Sequence, residues 1–137
     1  DFKQIPISSD ILNQANCLML EMLKAYDQCK LKDLLYTAEQ INEWLKQYPD
    51  LIEQDICIIN GCQITIRQGE LNYADKAKLF AISEKSNNMN YRAGAFILLE
   101  YMDEAEKIFS SFNDTQMKEF SNYPIYNLYQ RYKKKKG

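Results

Sequence analysis

Apolar residues recur at Ile11, Ala15, Leu18, Met19, Met22, Leu23 and Tyr26, three or four positions apart, which is the spacing of one face of a helix. Ser8, Ser9 and Asp10 precede this run, and each can accept from the unpaired amides of a first turn, so the pattern predicts a helix over 10–27. After a polar break at Asp27-Gln28-Cys29-Lys30 the rhythm returns as Leu34, Ala38, Ile41, Leu45 and Tyr48, and Pro49 stops it. Two amphipathic helices joined by so few residues lie side by side as an antiparallel hairpin.

The next segment carries two signals. Asp50-Leu51-Ile52-Glu53 has the form of a capping box, which starts a third helix directly after Pro49. Yet β-branched residues alternate on both sides of Asn60-Gly61, the pair favoured in tight β-hairpins. Two lone strands are marginal without a sheet to join, and Ile52, Ile56, Ile59 and Ile66 also share a helical face, so the helix is preferred. Glycine lowers a helix's own stability by about 1 kcal/mol relative to alanine, so Gly61 with Cys62 is read as a small spot where another helix approaches closely.

Beyond Gln68-Gly69-Glu70-Leu71, the residues Ala74, Ala77, Ala81 and Ile82 give a fourth helix with a slim face for close packing, and Ser86-Asn87-Asn88 supplies the next cap. A fifth helix over 89–99 carries Ala93, Phe96 and Ile97, and a sixth over 103–112 carries Ala105, Ile108, Phe109 and Phe112. A short turn of helix with Met117 and Phe120 leads to Tyr123-Pro124, and a last helix holds Ile125, Leu128, Tyr129 and Tyr132. Seven or eight helices joined by short loops make an all-α chain. Only 4 Gly and 3 Pro among 137 residues agree with this, because turn-dense sheets need more of both.

Composition narrows the chemistry. The chain has no histidine, which excludes a Ser-His or Cys-His nucleophile pair, a His-ligated metal and a His pH switch. Cys17, Cys29, Cys57 and Cys62 are irregularly spaced with no Cys-x-x-Cys pair, and are read as buried free thiols. Glu100, Asp103, Glu104 and Glu106 cluster at a helix start, where the helix dipole favours acidic side chains, and no Gly-rich loop or Gly-x-Ser-x-Gly turn is present. No catalytic residue, metal or cofactor is assigned. No apolar run has membrane length and the first residues lack a signal-peptide pattern, so a cytoplasmic location is expected. A start without Met, with Pro6 in an extended stretch, reads residues 1–9 as a linker remnant of a longer chain.

The net charge of -2 is a sum of unlike parts. Arg131 and Lys133 to Lys136 contribute five positive charges, and residues 1–130, with 12 basic and 19 acidic side chains, carry -7. Polyanion binding therefore rests on Arg131, Lys133, Lys134, Lys135 and Lys136, interleaved with Tyr123, Tyr126, Tyr129 and Tyr132. Tyrosines three apart spread over half the circumference of a helix, so the last helix is read first as a cap on the helical body, with nucleic acid the weaker alternative. Residues 133–137, four lysines and Gly137, are read as a frayed tail.

The helix pairs also resemble one another. Gly69-Glu70-Leu71-Asn72-Tyr73-Ala74 and Glu100-Tyr101-Met102-Asp103-Glu104-Ala105 align at an offset of 31, and Cys29-Lys30-Leu31-Lys32-Asp33-Leu34 matches more loosely, 40 residues before the first. Over residues 10–112 the chain resembles a degenerate tetratricopeptide repeat, a family built of antiparallel helix pairs of about 34 residues. Ala93, Phe96, Ala105 and Phe109 fit its pattern in the last pair, Cys62, Gly69, Ala74 and Ala81 in the middle pair, and Ala38 and Pro49 in the first. Thr65 and Lys78 stand where the family has aromatics, and the early Trp followed by Leu-Gly is missing. The resemblance implies a short right-handed superhelix over 10–132 with a C-terminal capping helix, whose concave face binds a peptide or protein. On that alignment the groove residues are Asn16, Met19 and Leu23, then Ile59, Gln63 and Arg67, then Asn87, Asn90 and Ile97. The expected function is a non-catalytic interaction or scaffolding domain. The alternatives are an accessory or dimerisation domain of a larger enzyme, with self-association of this chain, and weak polyanion binding through the C-terminus.

Overall fold

Four of the helices begin where a side chain accepts from a first-turn amide. In the computed structural model, which describes residues 7–136, α1 spans Ser9–Asp27 and opens on Ser8, whose side chain accepts from the Ile11 amide at 3.2 Å. Helix α2 spans Leu31–Gln47, α3 Asp55–Gln68, α4 Tyr73–Lys85, α5 Met89–Leu98, α6 Met102–Ser111, α7 Asp114–Phe120 and α8 Pro124–Lys136. Capping boxes at Asn72/Asp75 and Asn113/Gln116 start α4 and α7, and Asn88 caps α5. No strand occurs among the described residues, so the chain is all-α.

Contacts divide the chain into two compact units, residues 1–70 and 71–137. In the first, α1 packs on α2 and α3, and a 3-10 turn at Pro49–Glu53 packs on both α2 and α3. Ala15, Met19, Leu51 and Cys57 are buried there, with Ile7, Ile41, Trp44 and Tyr48 packed around them. In the second, α5 packs on α4, α6 and α8, and Phe120 stands among Phe109, Phe112, Tyr123 and Tyr126 at ring separations of 5.1 to 6.2 Å.

Two local readings are corrected. The residues read as a capping box after Pro49 form the 3-10 turn, and α3 begins at Asp55 behind Gln54, which makes no side-chain cap. Asn60-Gly61 lies inside α3, where Asn60 is buried against α1, because packing outweighs a turn preference that has no sheet to serve. The close approach expected at Gly61 is absent: a Cβ built there meets nothing within 4 Å. Gly61→Ala should therefore raise stability by about 1 kcal/mol through helix propensity alone, measured as a higher urea midpoint with an unchanged slope.

The three turns aligned by sequence at Cys29, Gly69 and Glu100 are not all alike. Lys30 N–H donates to the Ala25 carbonyl at 3.0 Å and Cys29 N–H to Tyr26 at 3.2 Å, while Tyr101 donates to Phe96 at 2.8 Å and Glu100 to Ile97 at 2.9 Å. Both are Schellman turns with a left-handed residue, Cys29 at φ 56 and Glu100 at φ 64. The α1/α2 and α5/α6 hairpins thus share one turn, whereas Gly69, aligned with Glu100 by sequence, ends α3 in extended backbone at φ 169. Left-handed non-glycine residues are strained, so Cys29→Gly and Glu100→Gly should each stabilise by about 1 kcal/mol, seen as a rise in melting temperature.

Helix α8 runs through Lys136, so the lysines read as a frayed tail continue the helix; Gly137 lies outside the described residues, as do residues 1–6 of the segment read as a linker remnant. Ile125, Leu128 and Tyr129 are its buried face. Its register on α6 is held by Glu106, which accepts from Tyr129 Oη at 2.6 Å and pairs with Lys133 Nζ at 2.6 Å. The bond from Lys133, then that from Tyr129, holds the Glu106 carboxyl below its usual 4.5. A depressed carboxylate contributes stability above its unfolded value, and that contribution is lost as pH falls through the lower folded value. Melting temperature should fall on acidification below 4.5, and Glu106→Gln should flatten that part of the profile.

Candidate functional site

Most residues expected to line a concave groove are interior. Leu23 and Ile97 are fully buried, and Met19 and Ile59 are buried with them. Asn16, Asn60 and Gln63 link α1 to α3: Asn60 Nδ2 donates to Asn16 Oδ1, and Gln63 Nε2 donates to Asn60 Oδ1 at 3.1 Å. The side-chain amide oxygen of Gln63, Oε1, is buried without a hydrogen-bond partner, whereas its backbone carbonyl has one. Arg67 forks onto Asp27 at 3.0 and 3.1 Å and donates to the Gln63 carbonyl at 3.0 Å, and Gln68 Nε2 donates to Tyr26 Oη at 2.7 Å. These side chains fasten the first unit together. In the second unit Asn87 is exposed and Asn90 half-buried.

The open groove of the first unit lies elsewhere, between α1 and α2. Two adjoining depressions of about 230 and 540 Å³ share Glu21 and Tyr36. One reaches Gln28 and Lys30, the other Asn13 and Trp44, so together they follow some fifteen residues of α1, about 22 Å. Tyr36, Gln40 and Trp44 recur every fourth residue and form the α2 wall; Asn13, Gln14, Cys17 and Leu18 form the opposite wall. Trp44 stacks on Tyr48 at 5.4 Å, so its position is set by the core while one part of it meets the groove. Thr37 is internally satisfied, donating to the carbonyls of Asp33 and Leu34.

An aromatic wall next to side-chain amides suits a peptide: the rings supply apolar area, and each amide offers both a donor and an acceptor to backbone groups. Glu21 and Asp33 are balanced by Lys24 and Lys30 at one end, leaving the other end mostly neutral. Sequence reasoning missed this site because attention went to the strongest apolar stripe of α2, whereas Tyr36, Gln40 and Trp44 lie along its flank. The four-residue recurrence of large side chains on that flank was the available signal.

The cysteines divide by location. Cys57 and Cys62 are buried, and burial pushes the Cys57 thiol up to about 11, leaving it protonated at neutral pH. Cys17 and Cys29, read as buried, are exposed, since they lie on the groove wall and in a hairpin turn. Among the described residues no group of three or more Cys, Asp or Glu is placed to hold a metal, and no helix is long and apolar enough to cross a membrane. At the C-terminal end Arg131, Lys134 and Lys135 are exposed on α8, while Lys133 is committed to Glu106 and lies 5.6 Å from the Tyr129 ring centre. Nothing is described of the Lys136 side chain. Comparison with family models, curated proteins and solved structures finds no match to this chain.

Proposed function

We propose that this chain is a non-catalytic protein-interaction or scaffolding module, and that the α1/α2 groove takes an extended peptide from its partner. The observation that carries this reading is the open depression with Tyr36, Gln40 and Trp44 along one wall and Asn13 and Gln14 along the other, adjoined by a second that shares Glu21 and Tyr36. A peptide laid there exchanges backbone hydrogen bonds with the amides and stacks its side chains on the rings, which is recognition by shape and amide chemistry more than by charge. The shared Schellman turn of the α1/α2 and α5/α6 hairpins supports a degenerate tetratricopeptide-like ancestry for the fold, with the ligand site moved from the first helices to the cleft within a pair.

Selection of a random peptide library on the intact chain tests the reading. Selected peptides should bind Tyr36→Ala and Gln40→Ala at least about tenfold more weakly, while the far-ultraviolet circular dichroism of both variants matches that of the parent, because Tyr36 is 62% exposed. Peptides that bind the two variants as well as the parent would place recognition outside the groove and overturn the proposal.

A further inference from the structure

Helix α2 has a second face that the groove does not use. Thr37 is its one buried residue, and Ile41, Trp44, Leu45 and Tyr48 are packed from the side of α1 and the 3-10 turn. On the other side Leu31 and Leu35 are 66% and 63% exposed. Leu31, Leu35, Ala38 and Asn42 follow one another at intervals of 4, 3 and 4, the seam spacing of a two-helix coiled coil, and Leu45, next in that spacing, is already drawn into the packing with α1. Lys32, Glu39 and Lys46 run along one flank of that seam, each one position beyond Leu31, Ala38 and Leu45, so their charges alternate with a heptad period.

That alternation selects an occupant. In an antiparallel pair of helices the same flank of each faces the other, so a second copy presents Lys32, Glu39 and Lys46 to the first. With Leu35 of one copy against Ala38 of the second, and Leu31 near Asn42, Lys32 of each copy falls beside Glu39 of the other. Sliding by one heptad in one direction brings Lys32 beside Lys32; sliding in the other brings Glu39 beside Glu39 and Lys32 beside Lys46. The register with Leu35 on Ala38 and Leu31 near Asn42 is therefore the one that brings opposite charges together, and it is satisfied twice by symmetry. A parallel pair would instead set Lys32 and Glu39 against the apolar flank residues Leu34 and Ile41.

We infer that α2 is a self-association helix through which two copies of this chain dock antiparallel in that register. The contact is one helix face on each side, below about 1,200 Å² in total, so the dimer belongs to the weak class.

Sedimentation equilibrium of the intact chain from about 1 µM to about 1 mM should show a monomer passing into a dimer and no further. Leu35→Asp should weaken the dimer more than about tenfold with no change in circular dichroism, since the side chain is exposed in the single chain. Lys32→Glu and Glu39→Lys alone should each weaken it by about tenfold, and the double variant should restore it. A chain that stays monomeric to the highest concentration, a dimer indifferent to Leu35→Asp, or a double variant no better than the singles overturns the inference. The last of these results would indicate a dimer of another register or a parallel one.

Discussion

Replacing Phe120 by alanine should unfold the second unit or lower its melting temperature by about 15 °C or more. Phe120 is 1% exposed, and its ring meets Phe109 at 5.1 Å, Tyr123 at 5.6 Å, Phe112 at 6.1 Å and Tyr126 at 6.2 Å. Truncation removes a whole ring from a site walled by α6, α7 and α8, and large aromatic-to-alanine changes in such cores cost about 3–5 kcal/mol. A unit of 67 residues holds only about 3–10 kcal/mol in total. Loss of helical circular dichroism and of the near-ultraviolet tyrosine signal would report the change, while Trp44, the single tryptophan, follows the first unit. Phe120→Leu should recover most of the loss, because the cavity is largely refilled. A melting temperature within about 3 °C of the parent for Phe120→Ala would contradict the packing described.

Substituting Gln63 and Arg67 together by alanine should lower the stability of the first unit by about 3 kcal/mol. The sequence placed both on a binding groove, where their loss would weaken partner capture and leave the melting temperature unchanged. In the structure Gln63 is 2% exposed, and the Arg67 side chain is 12% exposed with both fork nitrogens on Asp27. The loss at Gln63 comes mainly from what is left behind: the Asn60 oxygen loses its donor and a cavity opens, while the unpartnered Gln63 oxygen disappears at some gain. Loss at Arg67 breaks charge-assisted bonds to a carboxylate that is partly solvated, which limits their worth to about 1–2 kcal/mol. Arg67 also donates to the backbone carbonyl of Gln63, an acceptor that Gln63→Ala leaves in place, so the two single effects should add to within about 0.5 kcal/mol. Urea titration followed by Trp44 emission measures all three variants; an unchanged midpoint for the double variant would return these residues to the surface.

The individual helices were legible because each is a local pattern. Ser8, Asn72, Asn88 and Asn113 cap the helices they precede, and the apolar periods of α1, α2, α5 and α6 fall on the observed elements. Charge partition and the lack of histidine are likewise properties of the residues themselves.

What periodicity could not supply was which part of an apolar or polar face would be covered, and by what. Ala74, Ala77 and Ala81 look like a packing face, yet they are exposed, and α4 is anchored instead by Leu79, Ile82 and Ser83. Leu23 and Gln63 look like groove residues because they lie on first helices, yet α1 and α3 close over them. The depression at Tyr36 and Gln40 is lined by side chains of both α1 and α2, and Glu106, remote in sequence, meets Tyr129 and Lys133 of α8. The sequence by itself determined most of the helices, the caps at Ser8 and Asn88, and the side-chain chemistry the chain carries, since backbone preference, capping and side-chain type act within a few residues. Only the tertiary structure decided which faces became core, groove and open seam, because burial is a relation between segments that local spacing does not contain.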